Sequence, residues 1–258
     1  AGDRRRWLDF VEWYRGAMTA CSERWLEIAR RHFPDTEIYL CTGGDAVAPH
    51  GSDFTAQCRA AARFRAGVRI TNEGSHYAEN FYLTHWVASA AKHYGAYYGL
   101  EPAGPVDAFG NVGRIYNVAA AGAGQLHCYT GNVLDSPERK SAFAAHRRHL
   151  RPGSPRVSLA VWYPKTALAL DQTHDTPDSE WRAVHRRFPR LRDAADFDFV
   201  DEGLSRDGAL DRYAVLAMPA GRWIETDDLA RLRAWVARGG TLVATEFGDV
   251  RTLDGDTA

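Results

Sequence analysis

Short apolar runs alternate with longer amphipathic stretches along the first half of the chain. The runs predict strands centred on Tyr39, Ile70, Tyr98 and Cys128, which follow one another at steps of 31, 28 and 30 residues. Helical spacing of apolar residues predicts helices over 7–32, 53–64, 81–94 and 111–121. Each run is continuous rather than alternating, so both strand faces are expected to be buried, as in a parallel sheet. One strand plus one helix per step fits a (β/α) barrel or an open doubly wound sheet.

The segment RPGSP, residues 151–155, breaks this pattern, and a second set of elements follows it. Strands are predicted in VSLAVWY, FDFVD, YAVLAMP and TLVATEF, and helices over 178–192 and 226–238. We therefore expect an α/β protein with two domains, residues 1–150 and 151–258. The second domain has the pattern of an open flavodoxin-like sheet.

Composition and charge narrow the possible partners. The 258 residues carry a formal net charge of -1, which gives no basic surface for nucleic acid or an anionic membrane. No apolar run approaches the roughly 18 residues that a spanning helix needs. The four cysteines form no CxxC pair, and the histidines form no HxH or HExxH pattern. We therefore expect no metal, no cofactor, and reduced cysteines in a cytoplasmic protein.

Polar side chains follow the predicted strands of the first half, where βα folds place their reactive groups. These candidates are Asp45, Asn72, Glu73, His76, Tyr77, Glu101, His127, Tyr129 and Asn132. Glu101 is the strongest candidate, because it directly follows the apolar run AYYGL and precedes Pro102, which favours an extended turn. A carboxylate there can attack an anomeric carbon and form a glycosyl-enzyme intermediate. A structural glutamate bonded to backbone or arginine remains the alternative.

The other candidates have both a substrate-binding and a structural interpretation. Glu73 lies only 28 residues before Glu101, which favours a sugar-hydroxyl ligand or a neighbour that shifts the pKa of Glu101. A direct acid/base role for Glu73 is the lesser alternative. His76 and His127 can bond sugar hydroxyls or be satisfied locally. Tyr77 and Tyr129 can stack on a sugar ring or contribute to packing.

The order of these parts resembles clan A glycoside hydrolases, and in particular the β-galactosidase-like family 42. The run from WLDFVEWYRGAM to EIYLCTGGD resembles the helix and fifth strand of that barrel, YYGLEPAG its seventh strand, and GQLHCYTGN its eighth. The second half is similar to the amidotransferase-like trimerisation domain of the family, with the same strand, helix and Gly-Gly-Thr strand. TNEGSHY departs from the usual sixth strand, where an aspartate and aromatic residues are expected.

The resemblance implies a retaining glycosidase that acts on a carbohydrate, with Glu101 as nucleophile and with trimers as the assembly. The acid/base would lie on strand four, upstream of residue 1, so the chain would be part of a larger enzyme. Glutamine hydrolysis is not expected, because no cysteine follows Cys128. Two alternatives stay open: a carbohydrate-binding or scaffold protein without catalysis, and an unrelated enzyme with two doubly wound domains.

Overall fold

The computed structural model describes residues 2–43, 50–73, 75, 77–102, 104–128, 130–151, 153, 155–171, 176, 179–245 and 247–253. For residues 72, 73, 77–81, 130, 132 and 247 it describes the backbone alone. The chain divides into two compact units. The first unit is Thr19–Ala46 with Ala56–Arg156, and the second unit is Ala1–Met18, Val47–Thr55 and Val157–Ala258.

The first unit is built from βα repeats, as predicted. Its helices are α1 (Gly2–His32), α2 (Phe54–Arg63), α3 (Tyr77–Tyr94), α4 (Ala108–Ala121), α5 (Thr130–Val133) and α6 (Pro137–His146), of which α1 and α2 begin in the second unit. Its strands are β1 (Tyr39–Thr42), β2 (Gly67–Glu73), β3 (Tyr97–Pro102) and β4 (Gln125–Leu126). Local signals set some of these bounds: Asp107 caps α4 at Gly110 N, Gly122 ends α4 at φ 76°, and Ser136 caps α6.

The sheet of the first unit is parallel and has the order β1-β2-β3-β4. Successive strands that stay in sequence order, with right-handed crossovers, place their helices on the same face, as in a (β/α) barrel. A doubly wound sheet would reverse its strand order instead. This order therefore argues against two doubly wound domains.

The two faces of this sheet differ in chemistry. Val68, Ile70, Tyr98 and Leu100 share one face and are 0–3% exposed. Because side chains alternate along a strand, Arg69, Thr71, Gly99 and Glu101 share the other face. The second face of β2 and β3 is polar, with Gly99 and Glu101 buried and Arg69 and Thr71 half-buried.

The second unit is also an α/β structure. Its strands are β5 (Leu159–Trp162), β6 (Asp198–Val200), β7 (Val215–Met218), β8 (Trp223–Ile224), β9 (Thr241–Ala244) and β10 (Arg251–Thr252). Its helices are α7 (Lys165–Leu170), α8 (Glu180–Ala194), α9 (Glu202–Arg206) and α10 (Thr226–Ala237). The main sheet is parallel with the order β6-β5-β7-β9, and β10 pairs with β8. The flavodoxin-like nature of this unit stays a prediction.

The first residues of the chain pack within the second unit. Leu8 and Val11 form a buried cluster with Ala169 and Leu253, and Trp7 Nε1 donates a hydrogen bond to the Ala169 carbonyl at 2.7 Å. Residues 1–18 thus belong to the second contact unit, and the predicted domain bounds of 1–150 and 151–258 stay predictions. The kinds of domain assigned to those two ranges stay predictions. Among the described residues, no helix combines the length and the hydropathy that a membrane span requires.

A buried ionic cluster lies in the second unit. Lys165 Nζ contacts Asp53 Oδ2 at 2.8 Å, and Thr55 Oγ1 donates to Asp201 Oδ2 at 2.6 Å. Burial raises the pKa of Glu202 to about 7. Burial alone would lower the pKa of Lys165, but the carboxylates around it raise that pKa above its ordinary value. The ammonium thus offsets the charge of the buried carboxylates.

Replacing Lys165 with methionine is expected to destabilise the protein by about 3–5 kcal/mol, because buried carboxylates lose their counter-ion. The loss should be smaller at pH 5 than at pH 8, since Glu202, with a pKa near 7, then takes up a proton. Urea unfolding at both pH values measures this. Lys140→Met, at an exposed position, is the matched control and should stay within about 0.5 kcal/mol of wild type. Equal effects of the two substitutions would contradict the role of Lys165.

Candidate active site

Glu101 lies at the carboxyl end of β3 and is 3% exposed. Arg69 on the neighbouring strand β2 places Nε 2.5 Å from Oε2 of Glu101. Thr71, two residues further along β2, donates from Oγ1 to the same oxygen at 3.2 Å. Both contacts follow from the strand register, because Ile70 pairs with Leu100 and its polar neighbours share the face of Glu101. The carboxylate is therefore held in place by two side chains of one adjacent strand.

His127 lies beside this pair on the next strand. Its backbone N–H donates to the Leu100 carbonyl at 2.8 Å, which continues the β3–β4 ladder beyond Leu126. Its own carbonyl accepts a hydrogen bond from Arg114 Nη2 at 2.6 Å. The imidazole lies against Gly99, where an added Cβ would come within 2.9 Å of Nε2. Gly99 thus makes room for the imidazole next to Glu101.

The electrostatics of His127 reflect its neighbours. Burial lowers its pKa, the Arg69 charge lowers it further, and the Glu101 charge opposes both. The net shift is downward, so the imidazole is neutral at neutral pH. Its buried Nε2 has no hydrogen-bond partner among the described residues. A neutral imidazole with such a nitrogen can bond a hydroxyl group.

The structure thus brings together two of the predicted site residues, Glu101 and His127. The backbones of Asn72 and Glu73 lie at the end of β2, with Glu73 paired to Pro102, and Tyr77 begins α3; the side chains of these three lie outside the described residues. His76, Tyr129 and Asp45 lie outside the described part of the chain, as does the side chain of Asn132. Their proposed roles stay predictions.

Arg69 and Thr71 are the site residues that the sequence analysis missed. They lie in the segment GVRITN, whose pattern predicts a buried strand and no site residue other than Asn72. The available signal was a charged residue between two β-branched residues, Val68 and Ile70. A half-buried arginine within a strand indicates an acceptor or a carboxylate nearby in the fold.

Among the residues that the structure describes, no three His, Cys, Asp or Glu side chains form a group that could hold a metal ion. The described site therefore consists of a carboxylate, a guanidinium, a hydroxyl and a neutral imidazole. A carboxylate of this kind can act as a nucleophile, and the imidazole and hydroxyl can position a polyhydroxylated ligand.

Opposite changes in the pKa of His127 are expected from two substitutions. Arg69→Gln should raise that pKa, because it removes a positive charge, and Glu101→Gln should lower it further, because it removes a negative one. NMR titration of the imidazole Cε1–H resonance measures both. Arg24→Gln, at an exposed position, is the control and should leave the pKa unchanged. Shifts of the same sign in both site variants would show that the three groups do not interact as described.

No protein-family model and no curated protein sequence matches the chain. Solved structures do match its fold. The apo exo-carrageenase of glycoside hydrolase family 42 from Bacteroides ovatus aligns with a TM-score of 0.68 at 12% identity, over 98% of this chain and 41% of that one. A catalytic mutant of a family 42 β-galactosidase from G. stearothermophilus gives 0.65 at 12% identity, over 96% and 43%.

The β-galactosidase from Bacillus circulans sp. alkalophilus gives a TM-score of 0.63 at 15% identity, over 95% of this chain and 41% of that one. The chain thus spans about two fifths of the length of these enzymes. Identities this low show a shared fold and no more. The chain is an α/β protein with parallel sheets, and its fold is that of part of the family 42 enzymes.

Proposed function

We propose that the chain is part of a retaining glycoside hydrolase of the β-galactosidase type, with Glu101 as its nucleophile. One observation carries the proposal: Glu101 lies at the carboxyl end of the third strand of a sequentially ordered parallel sheet, where (β/α) barrels place catalytic groups. The shared fold with family 42 enzymes supports it. By the resemblance, this strand corresponds to the seventh strand of the barrel.

In the proposed reaction, the Glu101 carboxylate attacks the anomeric carbon and displaces the leaving-group oxygen, which takes a proton from an acid/base. A glycosyl ester forms on Glu101, and water then hydrolyses it with the acid/base now accepting the proton. We assign the acid/base to barrel strand four, in the part of the family enzymes that this chain does not cover. Retention follows from two successive inversions at one carbon.

The other residues have proposed supporting roles. Arg69 and Thr71 hold Oε2 of Glu101, which fixes the carboxylate before substrate arrives. His127 Nε2 would bond a sugar hydroxyl. Asn72, Glu73, His76, Tyr77 and Tyr129 are proposed to complete the carbohydrate site.

For the second unit we propose an amidotransferase-like domain that serves assembly, with a trimer as the expected state. Glutamine hydrolysis is not proposed, because this unit contains no cysteine. A cytoplasmic location is likewise part of the proposal and follows from the expectation of reduced cysteines. The four cysteines are free thiols: Cys21, Cys41, Cys58 and Cys128.

One observation favours a second candidate, a carbohydrate-binding or scaffold protein that lacks catalysis. Glu101 is 3% exposed, and its ion pair with Arg69 at 2.5 Å would also serve a purely structural glutamate. In that case Arg69 and Glu101 only join β2 to β3. Labelling of Glu101 by a substrate analogue separates the two candidates.

The full-length protein that includes barrel strand four is expected to hydrolyse 4-nitrophenyl β-galactoside, and Glu101→Gln should lose this activity by several orders of magnitude while the fold persists. A 2-deoxy-2-fluoro galactosyl fluoride should add one sugar mass to the wild-type peptide that contains Glu101. Mass spectrometry and initial rates measure these effects. Glu138→Gln, at an exposed position, is the control and should keep full activity.

Unchanged hydrolysis in Glu101→Gln would remove this residue from the mechanism. Wild-type protein that binds galactosides but neither turns them over nor becomes labelled would establish the scaffold alternative instead. Circular dichroism of each variant shows whether the fold is retained.

A further inference from the structure

Side-chain contacts join the first and last strands of the first unit across its polar face. β1 and β4 are separated in the sheet by β2 and β3. Even so, Gln125 of β4 donates from Nε2 to Oε2 of Glu37, which lies just before β1, at 2.5 Å. The ring of Tyr39 on β1 contacts the ring of His127, which follows β4, with centroids 5.6 Å apart. The sheet therefore curves enough for its two outer strands to meet over the polar face.

Two glycines on the inner strands leave room for these contacts. An added Cβ at Gly67 would come within 2.2 Å of the Tyr97 ring, and one at Gly99 within 2.9 Å of His127 Nε2. Neither glycine has a positive φ, so these positions need space rather than an unusual backbone conformation. Gly67 pairs with Tyr39 on one side and with Tyr97 on the other. The small inner residues thus admit rings from β1, from β3 and from the end of β4.

Tyr39 has a fixed position in this arrangement. Its hydroxyl donates to Glu37 Oε1 at 3.2 Å, and its ring lies edge-on to the Tyr97 ring, with centroids 4.8 Å apart. The Tyr97 hydroxyl in turn donates to the Ile38 carbonyl at 2.6 Å and accepts from Ile38 N at 3.0 Å. Burial and the Glu37 charge raise the pKa of Tyr39, so its phenol stays protonated and can donate its bond. Tyr39 is therefore a rigid support for whatever packs against it.

The orientation of the His127 imidazole depends on packing. Backbone contacts with Leu100 and Arg114 set the position of the residue, but they leave its ring free to rotate. The χ2 angle of histidine has only a broad, roughly two-fold preference. The Tyr39 ring stands at 89° to the imidazole, an edge-to-face arrangement, and the Nε2–Cδ2 edge lies over Gly99. Tyr39 and Gly99 thus select one orientation of the ring.

We propose that Tyr39 is a positioning residue of the site, which orients the imidazole of His127 before a ligand hydroxyl binds to it. The proposal rests on the proposed function, because the hydroxyl belongs to the sugar that Glu101 attacks. A group that is already oriented loses less conformational freedom when the ligand binds, which strengthens binding. Glu37 acts one step further away, through its hydrogen bond with Tyr39.

NMR titration of the His127 imidazole tests this role in the full-length protein without requiring turnover. Tyr39→Leu should raise the pKa of His127 toward its ordinary value, because loss of the ring admits water to an imidazole whose pKa is lowered mainly by burial. Tyr39→Phe keeps the ring and should preserve the wild-type pKa. Tyr116→Leu is the matched control, since Tyr116 contacts the rings of His146 and His149 in the same unit.

A second variant separates positioning from a general loosening of the sheet. Glu37→Gln should lower the pKa of His127 further, because the Glu37 charge raises it. Tyr39→Leu and Glu37→Gln are thus expected to shift the pKa in opposite directions, whereas a loosened sheet would expose the imidazole and raise it in both. Glu138→Gln, at an exposed position, should cause no shift.

Kinetics on 4-nitrophenyl β-galactoside test the consequence for binding. Tyr39→Leu should raise KM roughly tenfold, the scale of about one hydrogen bond, and keep kcat within about twofold. A contact that is equally strong in the ground state and the transition state changes KM alone. Tyr39→Phe should rescue the wild-type KM.

Two results would overturn the proposal: an unchanged pKa of His127 in Tyr39→Leu, or a wild-type KM of that variant in an active enzyme. Failure of the proposed function gives a different pattern. In that case the wild-type protein turns over no galactoside, while the pKa shifts of the Tyr39 and Glu37 variants still show that Tyr39 orients His127.

Discussion

An ion pair between a buried carboxylate and a half-buried guanidinium fixes how two strands of the first unit pair. Arg69 and Glu101 approach to 2.5 Å, and the carboxylate side chain is 5% exposed. Removing Arg69 would leave the charge of Glu101 without its partner in a medium that solvates it poorly. The pair therefore requires that β2 and β3 keep one register, since a slip by one residue would turn Arg69 toward the apolar face.

That register has consequences for neighbouring strands. The pairing of β3 with β4 aligns Gly99 with Gln125, and His127, two residues beyond Gln125, lies against Gly99. Any larger residue at position 99 would displace the imidazole. The lowered pKa of His127 follows from the same geometry. Burial and the Arg69 charge lower this pKa, and the Glu101 charge opposes them. The glycine at position 99, the pairing of the strands and the pKa of His127 are thus all linked to the Arg69–Glu101 ion pair.

The sequence predicted the parts of the fold that depend on local pattern. Tyr39, Ile70 and Tyr98 lie in strands as expected, and β-α spacing correctly indicated parallel pairing. The fourth midpoint, Cys128, falls just beyond β4, because regular pairing ends at Leu126 and His127 adds a single further bond. Glu101 was predicted at a strand end because an apolar run followed by a carboxylate and a proline is a local signal.

Long-range contacts were not predictable in this way. Helix α1 begins at Gly2 rather than at Trp7, and its first turns carry arginines that give no apolar pattern. Those arginines find partners more than two hundred residues away: Arg5 bonds Glu225 at 2.8 Å, and Arg4 lies over the Trp223 ring at 4.2 Å. Nothing local in the sequence encodes such pairs. The role of Arg69 could not be predicted for the same reason, because its partner Glu101 lies on another strand.

The two units treat charge at strand ends in different ways, which bears on what each can do. In the first unit, Arg69 matches Glu101 one to one, so the carboxylate is fixed and its reactivity is set by the protein. In the second unit, Glu180 accepts hydrogen bonds from Gly221 N and Arg222 N and so joins α8 to the loop after β7. A carboxylate that pairs with one charged side chain can be positioned for reaction, whereas a carboxylate that accepts several backbone and side-chain N–H groups is used for structure. The first arrangement is compatible with catalysis, and the second stabilises the fold of its unit.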